Sequence, residues 1–177
     1  MDLDMKKSEK NMGRVWSISQ IVLRLITLFT SAISAMIVFK NHQTINIMGG
    51  LSFSTKYSDD PNIKMFAAAN AIVACFSVFA LIFSLIVVSK KSVNSSVFFY
   101  FFLHDLIMVT GLALSCGAAT AVGFEGKHGN SKAGWAAICD MFGKYCKRAT
   151  MSVTISYLCL ITYFFLSILS AQKSGHA

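Results

Sequence analysis

Four long apolar stretches dominate the chain, and most polar residues lie between them. The stretches cover residues 17–39, 66–88, 97–122 and 149–171. Each meets the requirement of about 20 residues for an α-helix that crosses a hydrocarbon core about 30 Å thick. A β-barrel is not expected, because its strands would alternate apolar and polar residues. The pattern predicts an all-α integral membrane protein, a bundle of four transmembrane helices.

The three segments that connect these stretches differ in length. Residues 89–96, between the second and third stretches, are so few that the two helices must be antiparallel neighbours. The other connections, residues 40–65 and 124–148, are longer and more polar, and they share the opposite face of the membrane. The two tails, residues 1–16 and 172–177, are therefore expected beside the short connection.

The composition agrees with a membrane protein. The chain is 55% hydrophobic and 14% charged, with a mean hydropathy of +0.60, whereas soluble domains carry about 25% charged residues. The formal net charge is +8, but the Lys and Arg residues are scattered through tails and loops without an aromatic-interleaved basic stripe. We therefore expect these charges to face the headgroups of the lipid bilayer, and we expect no nucleic-acid partner.

The chain carries no sequence motif of an enzyme. A G-x-S-x-G elbow, a Walker loop, an H-E-x-x-H motif and a dinucleotide fingerprint are all missing from the sequence. We expect no catalysis, no cofactor and no small-molecule substrate. A metal site is not expected either, because the only loop histidine near Cys139 and Cys146 is His128 and the spacing fits no usual four-ligand site.

Two opposite charges lie well inside the predicted helices. Arg24 is about seven residues into the first and Asp105 about eight into the third, so at 1.5 Å per residue both lie roughly 10–12 Å below the same membrane surface. A charge in the hydrocarbon costs at least about 2.5–3.5 kcal/mol on insertion scales unless it is paired or solvated. We therefore predict an intramembrane salt bridge between Arg24 and Asp105.

A polar face accompanies Arg24 along the first helix. Its members recur at three- and four-residue spacing, which places them on one side of a helix. They are Ser17, Gln20, Arg24, Thr27, Ser31 and Ser34. This face should point toward other helices. Asn70, near the start of the second helix, is likewise expected to face the bundle, because helix packing must satisfy its amide.

Two roles are open for the buried charges. The first is a structural pair that fixes helix packing, and the second is a proton or ion relay, because His104 adjoins Asp105 and intramembrane titratable groups often mark pathways. Adjacent helical positions point about 100° apart, and an acid paired with an arginine is already neutralised. The matched polar or glycine and proline breaks of a transporter are also missing from the sequence. These arguments favour the structural role, with a small channel or transporter that uses Arg24, Asp105 and His104 as the alternative.

Cys139 and Cys146 share the second long connection. In an unbroken helix their Cα atoms would lie about 10 Å apart, whereas a disulfide requires about 4.4–6.8 Å. A bridge therefore needs a turn, which Gly143 could supply. The alternative is two free thiols in a helix that continues into the fourth span. The remaining cysteines lie in apolar spans and are expected to act as small hydrophobic residues: Cys75, Cys116 and Cys159.

The orientation in the membrane depends on weak signals. Lys and Arg are almost equally frequent on the two sides, so the positive-inside rule does not decide. The cysteine pair lies on the side of the long connections, which is expected if that side faces an oxidising compartment. This argument favours cytosolic termini.

Four segments together resemble the plant Casparian strip membrane domain protein-like family, relatives of the MARVEL-type four-span proteins. They are Arg24 in the first helix, AAANAIVACFSVFAL at residues 67–81, Asp105 in the third helix, and WAAICDMFGKYC at residues 135–146. The resemblance implies a plasma-membrane location in plants and cytosolic termini. It also implies self-association into membrane platforms that gather partners, including enzymes of cell-wall modification.

The first long connection departs from members of the family that build the Casparian strip. Residues 41–65 read NHQTINIMGGLSFSTKYSDDPNIKM and lack the distinctive loop of those members, so the chain resembles a general family member. Our first functional hypothesis is therefore a non-enzymatic scaffold or accessory subunit that forms homo- or hetero-oligomers with other membrane proteins. The second hypothesis is the channel or transporter.

Overall fold

The structure, a computed structural model, describes residues 2–47, 50–89 and 95–175. Four helices and one β-hairpin make up most of it. In chain order they are α1 (Asp2–Phe39), β1 (His42–Ile47), β2 (Leu51–Lys56), α2 (Pro61–Ser89), α3 (Ser95–His128) and α4 (Gly143–Gly175). Two short 3₁₀ turns, Ser131–Ala133 and Ile138–Asp140, lie between α3 and α4.

Each of the four helices contains a segment long and apolar enough to cross a membrane. Within the described residues these segments are Val15–Phe39, Pro61–Ser89, Ser96–His128 and Gly143–Ser174. Their length exceeds the number of residues needed to cross the hydrocarbon core. The prediction of an all-α membrane bundle of four helices is confirmed.

The helices extend beyond the apolar stretches. Helix α1 begins at Asp2, within the segment predicted as a tail. Helix α2 begins at Pro61, where the Asp60 carboxylate accepts hydrogen bonds from the backbone N–H groups of Asn62, at 2.7 Å, and Ile63, at 3.1 Å. An aspartate cap followed by proline at the first helical position is a strong start signal for a helix. Local capping therefore starts α2 outside the apolar run.

The helices are arranged so that consecutive helices are neighbours. Helix α1 packs mainly on α2 and α4, and α3 packs mainly on the same two helices. Helices α1 and α3 therefore lie across one diagonal of the bundle, and α2 and α4 lie across the other. A side chain of α1 that contacts α3 has to reach through the centre of the bundle.

The interior of the bundle is more polar than its outer surface. The buried polar side chains include six on α1 and α2 that lie at most 3% exposed: Gln20, Thr27, Ser31, Ser34, Asn70 and Ser77. Large apolar side chains lie outside, among them Phe29, Phe79, Leu114 and Phe165. Lipid tails are as apolar as leucine, so small and hydroxyl-bearing residues that pack closely and hydrogen-bond hold such helices together.

The first long connection forms a β-hairpin, which the hydropathy pattern does not predict. Strands β1 and β2 pair in antiparallel register from His42 opposite Lys56 to Ile47 opposite Leu51. Gly50, with φ of 82°, occupies the left-handed region in the turn. A two-stranded ribbon is marginally stable by itself in water, so its contacts with α4, described below, matter for its position.

Candidate functional site: a polar core and its loop cover

Arg24 and Asp105 contact each other across the bundle. The guanidinium Nη1 donates to Oδ1 of the carboxylate at 3.1 Å, and Nη2 donates to Oδ2 at 3.1 Å. The side chains are 1% and 0% exposed. A planar guanidinium and a carboxylate joined by two parallel hydrogen bonds have a defined orientation as well as a distance. The contact therefore ties α1 to α3 along the diagonal on which they pack least.

Three further side chains surround the pair. Ser170 on α4 donates from Oγ to Asp105 Oδ2 at 3.3 Å, and Nδ1 of His104 lies 3.1 Å from Oδ1. The guanidinium carbon of Arg24 lies 4.5 Å from the ring centroid of Phe101, which is a cation–π contact. Each carboxylate oxygen thus has two polar neighbours, which reduces the cost of placing the charges away from water.

His104 and Asp105 occupy different faces of α3 although their side chains meet. Asp105 is fully buried, whereas the His104 side chain is 24% exposed, as expected from positions about 100° apart on a helix. The imidazole Nε2 is buried and finds no hydrogen-bond partner among the described residues. The histidine therefore lies between the ion pair and the outer surface of the bundle.

The polar face predicted on α1 is buried. Thr27 donates to the backbone oxygen of Arg24 at 2.9 Å, and Ser31 donates to the backbone oxygen of Thr27 at 2.7 Å. Such bonds to the preceding turn satisfy hydroxyl groups without water. Gln20 is 2% exposed, and its Nε2 has no hydrogen-bond partner among the residues that the structure describes. Ser17, at the beginning of this face, is half-buried.

Ser34 belongs to a hydroxyl cluster between helices. Its Oγ lies 2.8 Å from Oγ of Ser152 and 2.7 Å from Oγ of Ser156, both on α4. Ser156 donates to Oδ1 of Asn70 on α2 at 2.6 Å, and the Asn70 amide donates to the backbone oxygen of Phe66 at 3.0 Å. Asn70 lies inside the bundle and links α2 to α4.

A second contact crosses the bundle between α2 and α4. The hydroxyl groups of Ser77 and Tyr163 lie 2.6 Å apart, and the thiol of Cys159 donates to the backbone oxygen of Thr27 at 3.5 Å. Tyr163 and the buried serines of α4 were not predicted from the sequence. A signal was present, because polar or small side chains recur on α4 at three- and four-residue spacing: Ser152, Ser156, Cys159, Tyr163, Ser167 and Ser170.

Cys139 and Cys146 form a disulfide, with Cα atoms 5.7 Å apart. The turn that brings them together is the 3₁₀ turn Ile138–Asp140 followed by Met141, with Phe142 buried beneath it. Gly143 does not supply the turn, since it is the first residue of α4 and is not among the described glycines with positive φ. Of the free cysteines, Cys116 and Cys159 are buried and Cys75 is exposed on the outer face of α2.

The hairpin is attached to the beginning of α4 through Tyr145. The backbone N–H of Tyr145 donates to Oε1 of Gln43 at 2.7 Å, and its carbonyl accepts from Nδ2 of Asn41 at 3.0 Å. The first N–H groups of a helix have no partner within the helix, so Gln43 supplies an acceptor that α4 itself lacks. The disulfide at Cys146 adjoins this contact.

The described residues bring together no group of three or more His, Cys, Asp and Glu side chains that could hold a metal ion. The polar core consists of hydrogen-bonded side chains and the ion pair between Arg24 and Asp105. The structure thus combines four apolar helices, a buried arginine and aspartate on the first and third of them, and a disulfide between the second long connection and the beginning of the fourth helix.

These features agree with the result of the sequence comparisons. The model of the Casparian strip membrane protein domain family matches residues 13–162. The chain belongs to this family. It is similar to CASP-like protein 1F1 of Populus trichocarpa, with 46% identity over 155 residues that cover 88% of this chain and 84% of the relative.

Other relatives match over similar lengths. CASP-like protein 1F2 of Populus trichocarpa is 41% identical over 176 residues, which cover 98% of this chain and 96% of the relative. CASP-like protein 1F1 of Ricinus communis is 39% identical over 156 residues, which cover 88% and 86%. No solved structure matches the chain. The resemblance to this family found in the sequence is confirmed, and the protein is a multi-pass membrane protein of the lipid bilayer.

Proposed function

We propose that the protein is a non-enzymatic scaffold of the plasma membrane that associates laterally with copies of itself and gathers partner membrane or cell-wall-modifying proteins. The two termini lie in the cytosol in this proposal. Membership of the Casparian strip membrane protein domain family supports it, and so does the distribution of polar groups in the bundle.

The observation that carries the proposal is that the charged groups of the core contact one another. Arg24 and Asp105 pair in the interior and are 1% and 0% exposed. The hydroxyl group of Ser34 likewise contacts the hydroxyl groups of Ser152 and Ser156 inside the bundle. A bundle whose buried charges are paired internally offers its apolar outer faces to lipid and to neighbouring helices, as expected of a structural component of a membrane assembly.

The disulfide supports the proposed orientation. Cys139 and Cys146 are bridged on the side of the long connections, and disulfides persist in oxidising compartments such as the cell exterior. The opposite side, which holds both termini, would then face the cytosol. A pH-sensitive fluorescent protein fused to the N-terminus tests this orientation. Its fluorescence should not change when the medium is acidified. Quenching by external acid would show that the N-terminus faces the cell exterior.

Lateral association is tested by counting copies in a bilayer. The full chain is labelled with one fluorophore and reconstituted at increasing dilution in lipid, and single-molecule photobleaching counts the copies in each spot. We expect oligomers that persist on dilution beyond the point at which random co-localisation predicts single copies. An unrelated four-span protein at the same density is the control. Single copies at every density would refute the scaffold proposal.

A second candidate function is a small proton or ion channel. Nδ1 of His104 lies 3.1 Å from Asp105, and the imidazole is partly exposed, so it lies between the ion pair and the surface of the bundle. Proton and cation flux into vesicles that contain the chain separates the two candidates. The scaffold proposal expects no flux above that of empty vesicles. Flux that disappears in Asp105→Asn and persists in Thr110→Ala, an exposed position on α3, would favour the channel instead.

Partner recruitment requires a separate test in plant cells. Proximity labelling from a tag on the C-terminus should enrich a defined set of membrane proteins, and labelling from a tag in the hairpin turn should enrich cell-wall-modifying proteins. The same tags on an unrelated plasma-membrane protein give the background. Equal enrichment with this protein and with the unrelated protein would refute the recruiting role. The assignment as a membrane protein would be unaffected.

A further inference from the structure

The β-hairpin has two faces of different chemistry. Residues directly opposite each other in an antiparallel pair place their side chains on the same face. The register pairs Gln43 with Thr55 and Ile45 with Phe53, and Leu51 follows at the next position of the same face. We call these five residues the inner face. The outer face carries only polar side chains: His42, Thr44, Asn46, Ser52, Ser54 and Lys56.

The base of the inner face is turned toward α4. Gln43 accepts a hydrogen bond from the N–H of Tyr145 at 2.7 Å, and Thr55 lies directly opposite Gln43 in the ribbon. Tyr145 lies in the first turn of the apolar segment Gly143–Ser174. The inner face therefore starts at the boundary where α4 enters the membrane, and the outer face points away from that contact.

The far part of the inner face is apolar and exposed. Phe53 is 47% and Leu51 is 60% exposed. At about 3.4 Å per residue, Phe53 lies about 7 Å and Leu51 about 14 Å beyond Thr55 along the strand. A helix with its side chains has a radius of about 5–6 Å, so these side chains are not covered by the contact with Tyr145.

The charge pattern of the ribbon indicates what covers the exposed side chains of Leu51 and Phe53. Residues 43–55 contain no Asp, Glu, Lys or Arg, whereas Lys40 and Lys56 flank the ribbon at its base. Charged or proline residues usually protect exposed strands from other proteins, and residues 43–55 contain none. An uncharged amphipathic surface flanked by lysines fits the headgroup and acyl boundary of a bilayer, where apolar side chains are buried and cations contact lipid phosphates.

The position of the ribbon relative to the membrane agrees with this partner. Helix α1 ends at Phe39, at the end of an apolar segment, and β1 begins at His42. The headgroup region extends about 5–8 Å beyond each side of the hydrocarbon core. The ribbon therefore starts inside this region, and its inner face meets lipid if the ribbon lies along the surface.

We propose that the hairpin lies on the bilayer surface with its inner face, at Ile45, Leu51 and Phe53, inserted at the headgroup and acyl boundary, and with its outer face in water. The protein would then contact lipid through a β-ribbon as well as through its four helices. This contact is made by a single copy and does not depend on lateral association.

The test compares adjacent residues on the two faces. Single cysteines at Phe53→Cys and Ser54→Cys are spin-labelled in a chain whose three free cysteines are replaced by alanine. Each variant is reconstituted as one copy per nanodisc of phosphatidylcholine and phosphatidylserine. Accessibility is measured to oxygen, which concentrates in lipid, and to a water-soluble nickel chelate. We expect an oxygen-to-nickel ratio several-fold higher at position 53 than at position 54.

A second pair of sites keeps the result independent of any one variant. Leu51→Cys and Ser52→Cys should repeat the difference with the same sign, and each variant must elute as the parent chain does before labelling. Equal ratios with high nickel accessibility at positions 51 and 53 would overturn the proposal, because the inner face would then be in water. Low accessibility to both reagents at these positions would also overturn it, since protein would cover the inner face.

Discussion

Removing Arg24 should destabilise the protein more than removing Arg24 and Asp105 together. In Arg24→Ala, the carboxylate of Asp105 remains fully buried and loses two hydrogen bonds of 3.1 Å. It retains the hydroxyl of Ser170 and the ring of His104. In the double variant the unpaired charge is gone, and the remaining cost is the space that the arginine filled beside Phe101.

The expected magnitude separates a charge effect from ordinary hydrogen bonding. Breaking a buried ion pair by removing one partner costs about 3–5 kcal/mol. Hydrogen bonds between membrane helices average about 0.6 kcal/mol, so two neutral bonds would account for about 1 kcal/mol. We expect Arg24→Ala to lower the free energy of unfolding by about 3 kcal/mol or more, and the double variant to recover about 2 kcal/mol of this loss.

The assay is equilibrium unfolding in bicelles, with helix content as the readout, on the parent chain, the two single alanine variants and the double variant. Thr110→Ala is the control for a helix substitution, because Thr110 is exposed and its hydroxyl bonds to the carbonyl of Leu106 in its own helix. Its unfolding free energy should match that of the parent. A double variant as unstable as Arg24→Ala, or less stable, would refute the pairing argument.

Three further predictions concern other contacts. Alkylation without reductant should leave Cys139 and Cys146 unmodified and with reductant should add two labels by mass spectrometry; full labelling without reductant would contradict the bridge. Ser77→Ala should lower the free energy of unfolding by about 1 kcal/mol, because the hydroxyl of Tyr163 loses its partner at 2.6 Å, and an unchanged value would contradict this role. Gly129→Ala should speed proteolysis of the second loop, because φ is 69° and a Cβ would lie 2.7 Å from a backbone oxygen; an unchanged rate would show that the turn tolerates a side chain.

The helices and the partner of the buried arginine could be derived from the sequence because few solutions are physically allowed. A segment of more than 20 apolar residues has to be a helix in lipid, since backbone groups have no water to bond. Arg24 and Asp105 are opposite charges at one depth, and each is costly without the other. The structure places them in direct contact. Such arguments succeed where the cost of the alternatives is several kcal/mol.

Features that depend on weaker energies could not be derived in the same way. Ser152 and Ser156 bond across the bundle, yet a membrane serine can equally bond to its own helix, as Ser31 does. The hairpin depends on a contact between Gln43 and Tyr145, which are 102 positions apart in the chain. The turn before α4 is made by a 3₁₀ segment and by buried Phe142, although Gly143 was the obvious turn residue.

Side-chain contacts cross the centre of the bundle along both of its diagonals. Arg24 and Asp105 join α1 to α3. Helices α2 and α4 are joined by the contact of Ser77 with Tyr163 and by that of Asn70 with Ser156. Sliding any helix along its axis would stretch at least one of these contacts. We therefore expect the four helices to tilt and turn in the bilayer as a rigid body. A partner protein that binds a single helix would thereby set the orientation of the whole protein, including its hairpin, in the plane of the membrane.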